Sequence, residues 1–368
     1  MRLIPTHLCV PGMRLGRPIF NSDGQILVGY QYELSQSVLN KLQKMGIEYL
    51  HIEDAQTDDI IIEDLIREET RVNLRSSLLH ILDRVASTSY DPKTSNGQLY
   101  KLCSKSVNLV IDDLQHHDTI MLMNMNVFQS NAYDQHFIQK AINVCVYATK
   151  LGMIEGYTGE DLDTFSLSAL LHDIGNLKVP REILMKRSLL TPFEYAEIKK
   201  HTEYGFKLLK EEAGIPITVA HVAMQHHERI NGTGYPHGLK GDEIHPFAQW
   251  VGLIDTYDSL THPRAHREAV LPHQAIEILY GGAGTLYDIH KVRQFRNRVA
   301  LFPLGLSVEL NSGETGIVSK VNTDFKHRPV IRVLRNPYGE PLKQPYEIDL
   351  SRHLNVMIAR VGEAVGSK

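Results

Sequence analysis

The sequence predicts a mainly α protein, with an all-helical core between a small N-terminal α+β module and a small C-terminal β-rich module. Three observations carry this reading. Residues 127–296 form a succession of helix-like segments with no convincing strand between them. Ahead of them, Ile62, Leu65, Ile66, Leu79, Leu82 and Val85 recur at three- and four-residue spacing over a charged background. Behind them, Gly305, Gly313 and Gly316 punctuate short β-rich stretches. The 368 residues divide into a module at 1–53, a helical linker or stalk at 54–126, the core at 127–296, and a module at 297–368.

Composition excludes several function classes. The net charge is −4 and no Lys/Arg run stands out, which argues against a general nucleic-acid surface. Nothing approaches an apolar run of membrane-spanning length, and MRLIPTHLCV lacks a signal-peptide layout. The 3 cysteines, Cys9, Cys103 and Cys145, are widely separated. They fit a reducing cytosol without a disulfide framework, so a cytoplasmic protein is expected.

In the N-terminal module, Leu15–Phe20 and Gln25–Val28 flank a turn signal at Asn21–Gly24. A short helix at Ser37–Lys44 and a strand at Ile47–Ile52 follow, and a docking or sensing role is expected. The break at Asp91–Gly97 separates two amphipathic helices, a layout compatible with a dimer contact or with packing onto the core. Within the core, Thr158 with Asp161, and Thr191 with Glu194 after Pro192, read as capping boxes. The second opens a helix expected to carry His201 near its far end. Ile217–Glu228 and Phe247–Leu260 are further helices, with Pro263 stopping the latter. The last module has strands at Ser307–Leu310, Gly316–Val321 and Pro329–Leu334, a hairpin turn at Asn336–Gly339, and one expected helix.

The chemistry concentrates around LLHDIGNLKV at residues 170–179. Here an apolar helix ends in His172 and Asp173, two metal-ligand types that are costly to bury without a partner. Downstream lie His201, the His226–His227 pair before a glycine turn, and Asp255 inside the apolar WVGLIDTYDSL; upstream lies His136. The chain has 19 histidines, so chance pairs occur, and His116–His117 in a polar stretch is left out. Imidazole and carboxylate without thiolate suit Fe, Mn, Zn, Ni or Co. A carboxylate bridging two ions makes a hydrolytic site for a phosphate ester.

The motifs HDIG at 172–175 and QHHERINGTGYP at 225–236, with His136, His201 and Asp255, resemble the HD-GYP family of cyclic-di-GMP phosphodiesterases, within the HD hydrolase superfamily. The resemblance implies an HD-type metal-dependent phosphohydrolase core acting in bacterial second-messenger signalling. It implies two divalent ions, iron or manganese, with zinc, nickel or cobalt as alternatives. His136, His172, Asp173 and Asp255 would hold one ion; His201, His226, His227 and the bridging, catalytic Asp173 would hold the other. Hydroxide between them would open cyclic-di-GMP to linear pGpG, and on to GMP after a second cut. Arg264 and Arg267 align with phosphate-contacting residues. Gly234, Tyr235 and Pro236 would form the GYP loop, a meeting point for a GGDEF-type diguanylate cyclase or another signalling protein.

Two positions depart from the family pattern. Asn176 stands where a lysine usually meets a ligand phosphate, with Lys178 two residues on. Ala132 stands where members with a third ion place a carboxylate, so two metals are expected. A receptor that binds cyclic-di-GMP with little turnover, or a hydrolase of another cyclic dinucleotide, is the rival reading.

Overall fold

The structure, a computed structural model, describes all residues except 22–24, 48, 63, 87–89, 95–96, 116–132, 187, 263–268, 323–324 and 362–368. Part of the Asn21–Gly24 turn, the boundary at 126–127, Ala132, Pro263, Arg264 and Arg267 therefore lie outside the described residues.

The described chain forms two compact units, and the terminal modules share one of them. Strand β1 (Arg2–Pro5) pairs antiparallel with β4 (Tyr49–Ile52), and β2 (Ile19–Phe20) with β3 (Ile26–Val28). Helix α1 (Gln36–Lys44) starts where the Ser35 hydroxyl accepts from the Val38 N–H. The C-terminal part is an antiparallel sheet of β5 (Ser307–Leu310), β6 (Thr315–Lys320), β7 (Val330–Arg335), β8 (Pro341–Asp349) and β9 (Ile358–Val361), in the order β8-β7-β6-β5-β9. The Asn336–Gly339 turn joins β7 to β8. The expected C-terminal helix does not occur among the described residues, where five strands take up the segment.

Sequence separation concealed how the two ends combine. Leu3 bridges Leu306 and packs with Val308, Leu310 and Ile331, while Ile60 and Ile62 pack on Ile317. The Arg332 guanidinium grips both Asp59 oxygens at 2.5 and 2.7 Å. The N-terminal segment keeps a core of its own around Leu15, Ile19, Leu34, Leu39, Leu42 and Leu50, and the shared contacts add a second core under the C-terminal sheet.

The second unit is helical and spans residues 65–115 and 133–296. Helices α2 (Glu68–Ala86) and α3 (Gln98–Leu114) belong to it rather than standing apart as a stalk. They pack on α4 (Tyr133–Ile154) and α5 (Gly159–Leu171), and the Lys150 ammonium donates to the Leu114 carbonyl at 3.0 Å. Helix α4 is buried nearly all round between Phe137 and Gly152, which makes it the central rod. Around it run the short α6 (Arg181–Leu184), then α7 (Pro192–Lys199), α8 (His201–Glu211), α9 (Ile217–Gln225), α10 (Pro246–Thr261), α11 (Pro272–Gly281) and α12 (Ile289–Arg298).

The Thr191–Glu194 capping box is formed, but the Thr158 side chain makes no cap hydrogen bond and α5 starts without one. The helix opened by Thr191 ends at Lys199, so His201 begins a new helix instead of closing the old one. Phe165 is fully buried in the middle of α5, its ring 5.4 Å from that of Tyr157 and 4.8 Å from that of Phe247. Phe165→Ala is expected to cost about 3–5 kcal/mol of stability in chemical denaturation. A loss below about 1 kcal/mol would contradict this packing.

Candidate metal centre

Three helix ends, those of α5, α8 and α9, and the interior of α10 supply the site. Helix α5 stops at Leu171, His172 caps it, and Asp173 leads into a single-turn 3-10 segment at Ile174–Lys178. That turn is pressed against the start of α8: a Cβ on Gly175 would collide with the His201 carbonyl and the Gly205 N–H. Glycine is therefore required for His172–Asp173 to approach His201. His226 caps α9, His227 follows it, and Asp255 projects from the middle of α10.

Three imidazoles are anchored alike. Nδ1 of His172 lies 2.8 Å from the Ala169 carbonyl, that of His201 2.7 Å from Ile198, and that of His226 2.9 Å from Ala223. A carbonyl only accepts, so each Nδ1 carries a proton, and in its neutral form each ring presents the Nε2 lone pair inward. Nε2 of His201 and Nε2 of His226 face each other at 3.4 Å, lone pair to lone pair when both rings are neutral. Both also face Asp173 Oδ1, at 3.3 and 3.5 Å. Converging lone pairs and a carboxylate oxygen repel unless a cation sits among them, and this donor set fits a divalent metal.

Two groups of ligand atoms lie within 4.8 Å of one another among the described residues: Asp173, His201, His226 and His227; and His172, Asp173 and Asp255. His136 joins neither. It is half-buried on α4, one helical turn before Lys140, and the α4 side chain that reaches the carboxylates is Lys140. Its Nζ lies 2.6 Å from Asp173 Oδ2 and 2.5 Å from Asp255 Oδ1.

The electrostatics follow from burial and these neighbours. Burial alone favours neutral acids, but the Lys140 ammonium, with His172, holds Asp173 and Asp255 well below the usual carboxylate range. Burial pushes His226 down to about 4 against the pull of Asp173, and it pushes His227 well below its usual value. Both rings are thus neutral ligands at pH 7. His172 moves the other way: burial lowers it, but Asp173 and Asp255 together carry it up.

The neighbouring loops are braced by residues that sequence reasoning passed over. The buried Glu228 accepts from the N–H groups of His237 at 2.7 Å and Leu239 at 3.0 Å. This clamps the loop that carries Gly234, Tyr235 and Pro236. A Cβ on Gly234 would strike the Glu228 and Arg229 backbone, and the Tyr235 ring stacks on His227 at 4.7 Å. Beside Lys140, Asn143 donates to Asp258 Oδ1 at 2.8 Å, and His262 Nδ1 lies 3.1 Å from the same oxygen. Asn176 is buried in the 3-10 turn, whereas the Lys178 ammonium donates to the Val85 carbonyl at 3.0 Å and so stands outside the gathered site. Lys140 itself had a visible signal: a lysine among Phe137, Ile138, Ala141 and Ile142 needs an internal counter-charge.

A family model described as "HD domain" matches residues 123–290, and one described as "KOW domain associated with HD domain" matches 307–364. Residues 123–290 are an HD domain of the HD-GYP family. Three curated relatives fit this placement. A cyclic di-GMP phosphodiesterase of Pseudomonas aeruginosa is 36% identical over 187 residues, 50% of this chain and 45% of the relative. A cyclic di-GMP phosphodiesterase response regulator of Xanthomonas campestris is 34% identical, over 41% of this chain and 40% of the relative. A 3'3'-cGAMP-specific phosphodiesterase of Vibrio cholerae is 26% identical, over 51% of this chain and 36% of the relative. The chain spans less than half the length of these relatives.

The Glu228 clamp is testable. In Glu228→Ala, the His237 and Leu239 amides lose a charged acceptor, worth about 1–3 kcal/mol each. Their hydrogen exchange is expected to accelerate while α4 stays protected; unchanged exchange would contradict the clamp.

Proposed function

We propose that this HD-GYP domain is a metal-dependent phosphodiesterase that opens cyclic dinucleotides, with cyclic-di-GMP as substrate and linear pGpG as product. The observation that carries the proposal is the convergence of backbone-anchored Nε2 atoms from His201 and His226 on Asp173 Oδ1. Relatives named for hydrolysis of cyclic-di-GMP and cGAMP support the substrate class. In the reaction, water adds to phosphorus, the bond from phosphorus to the ribose 3′ oxygen breaks, and that oxygen takes up a proton. One linear dinucleotide with a terminal phosphate results.

Asp173, His201, His226 and His227 would hold the metal, and iron or manganese suits three imidazoles with one carboxylate. When bound, such an ion supplies Lewis acidity toward phosphate oxygen and lowers the pKa of water. The protein's own part is orientation: carbonyl-anchored rings fix the ligand directions, and Gly175 and Glu228 hold the two flanking turns in place. Among the described residues no helix is long and apolar enough to cross a membrane, which supports a cytoplasmic setting.

A second reading is a cyclic-di-GMP receptor with little turnover. It is favoured by Asn176 at the position next to HDIG and by the engagement of Lys178 with Val85.

The test is parallel assay of cyclic-di-GMP and 3'3'-cGAMP on protein purified without oxygen, with Asp173→Ala as control. Release of pGpG, abolished in the variant, is expected. Binding without cleavage, together with a tenfold or larger gain in turnover in Asn176→Lys, would establish the receptor reading instead.

A further inference from the structure

We propose that the Lys140 ammonium permanently takes the place of one metal ion, so that the protein binds a single ion per chain rather than a pair. The inference rests on the metal-site reading above and concerns only the half of the centre formed by His172, Asp173 and Asp255.

The geometry is specific. Lys140 Nζ lies 2.6 Å from Asp173 Oδ2 and 2.5 Å from Asp255 Oδ1. His172 Nε2 faces the same two oxygen atoms, at 3.5 and 3.6 Å, and has no hydrogen-bond partner. Those three atoms are the donors that a cation in this half would use, and the positive charge they surround comes from α4. Lys140 is 12% exposed in its side chain, and its two partners are 8% and 5% exposed, so this is an internal ion pair. His136, the expected ligand from the same helix, is one turn away and outside the group.

Three arguments favour exclusion of a second ion. The site has two carboxylates for charge balance, and Asp173 also serves the other half through Oδ1. A dication added beside a buried ammonium raises the local charge without adding a ligand. Moving Lys140 away would leave a cation needing a new partner inside an apolar helix packing layer. The Lys140 contact is to Oδ2 of Asp173, whereas the other half is built on Oδ1. Lys140 thereby becomes a positioning residue. It fixes the orientation of the bridging carboxylate and supplies a charge that metal scarcity cannot remove.

Equilibrium dialysis of the full chain against Mn2+, with elemental analysis and electron paramagnetic resonance, tests the proposal independently of activity. The native protein is expected to saturate at about one ion per chain, with the hyperfine-split signal of an isolated ion. Lys140→His and Lys140→Ala are expected to rise toward two ions, with the spectrum of an exchange-coupled pair. Two ions in the native protein would overturn the inference and leave the metal-site reading standing. No bound ion in the native protein would overturn both. If neither variant folds, the native stoichiometry alone still decides.

Discussion

A buried carboxylate that must be neutralised on both of its oxygens is the constraint on which the helical unit depends. Asp173 Oδ2 faces the Lys140 ammonium, and Oδ1 faces the Nε2 atoms of His201 and His226, where a metal cation would supply the charge. Such a group is affordable in a protein interior only when each lone pair meets positive charge. Helices α4, α5, α8 and α9 each bring one partner to it, and α10 brings Asp255 to share the ammonium. The packing of the unit is thus tied to the chemistry of one side chain.

Precision comes from the backbone. Each of His172, His201 and His226 donates Nδ1–H to a carbonyl three residues earlier, so a helix end sets both tautomer and ring direction. Close approach does the rest: Gly175 lets the HDIG turn touch α8, and Gly234 lets the following loop fold back on Glu228. The same economy holds in the other unit, where distant chain ends complete one another's core through Leu3 and Leu306.

Much of this was legible in the sequence because ligand types at helix ends betray a shared centre. His172, Asp173, His201, His226, His227 and Asp255 do converge. His136 misled because residue type was weighed without helical phase, and Lys140, one turn on, carries the reach into the cluster. The break at Lys200 was hidden because α7 and α8 share a continuous helical pattern and only the turn geometry separates them. The union of the terminal modules depends on contacts between residues some three hundred positions apart, such as Leu3 with Leu306, which local periodicity does not encode.

The central claim is that Asp173 Oδ1 and the Nε2 atoms of His201 and His226 define a metal position, with His227 beside them. Anomalous diffraction at the manganese edge from metal-soaked crystals tests it most directly. The account predicts a peak within coordination distance of those nitrogen and carboxylate atoms. A peak elsewhere in the protein, with these side chains left uncoordinated, would contradict it.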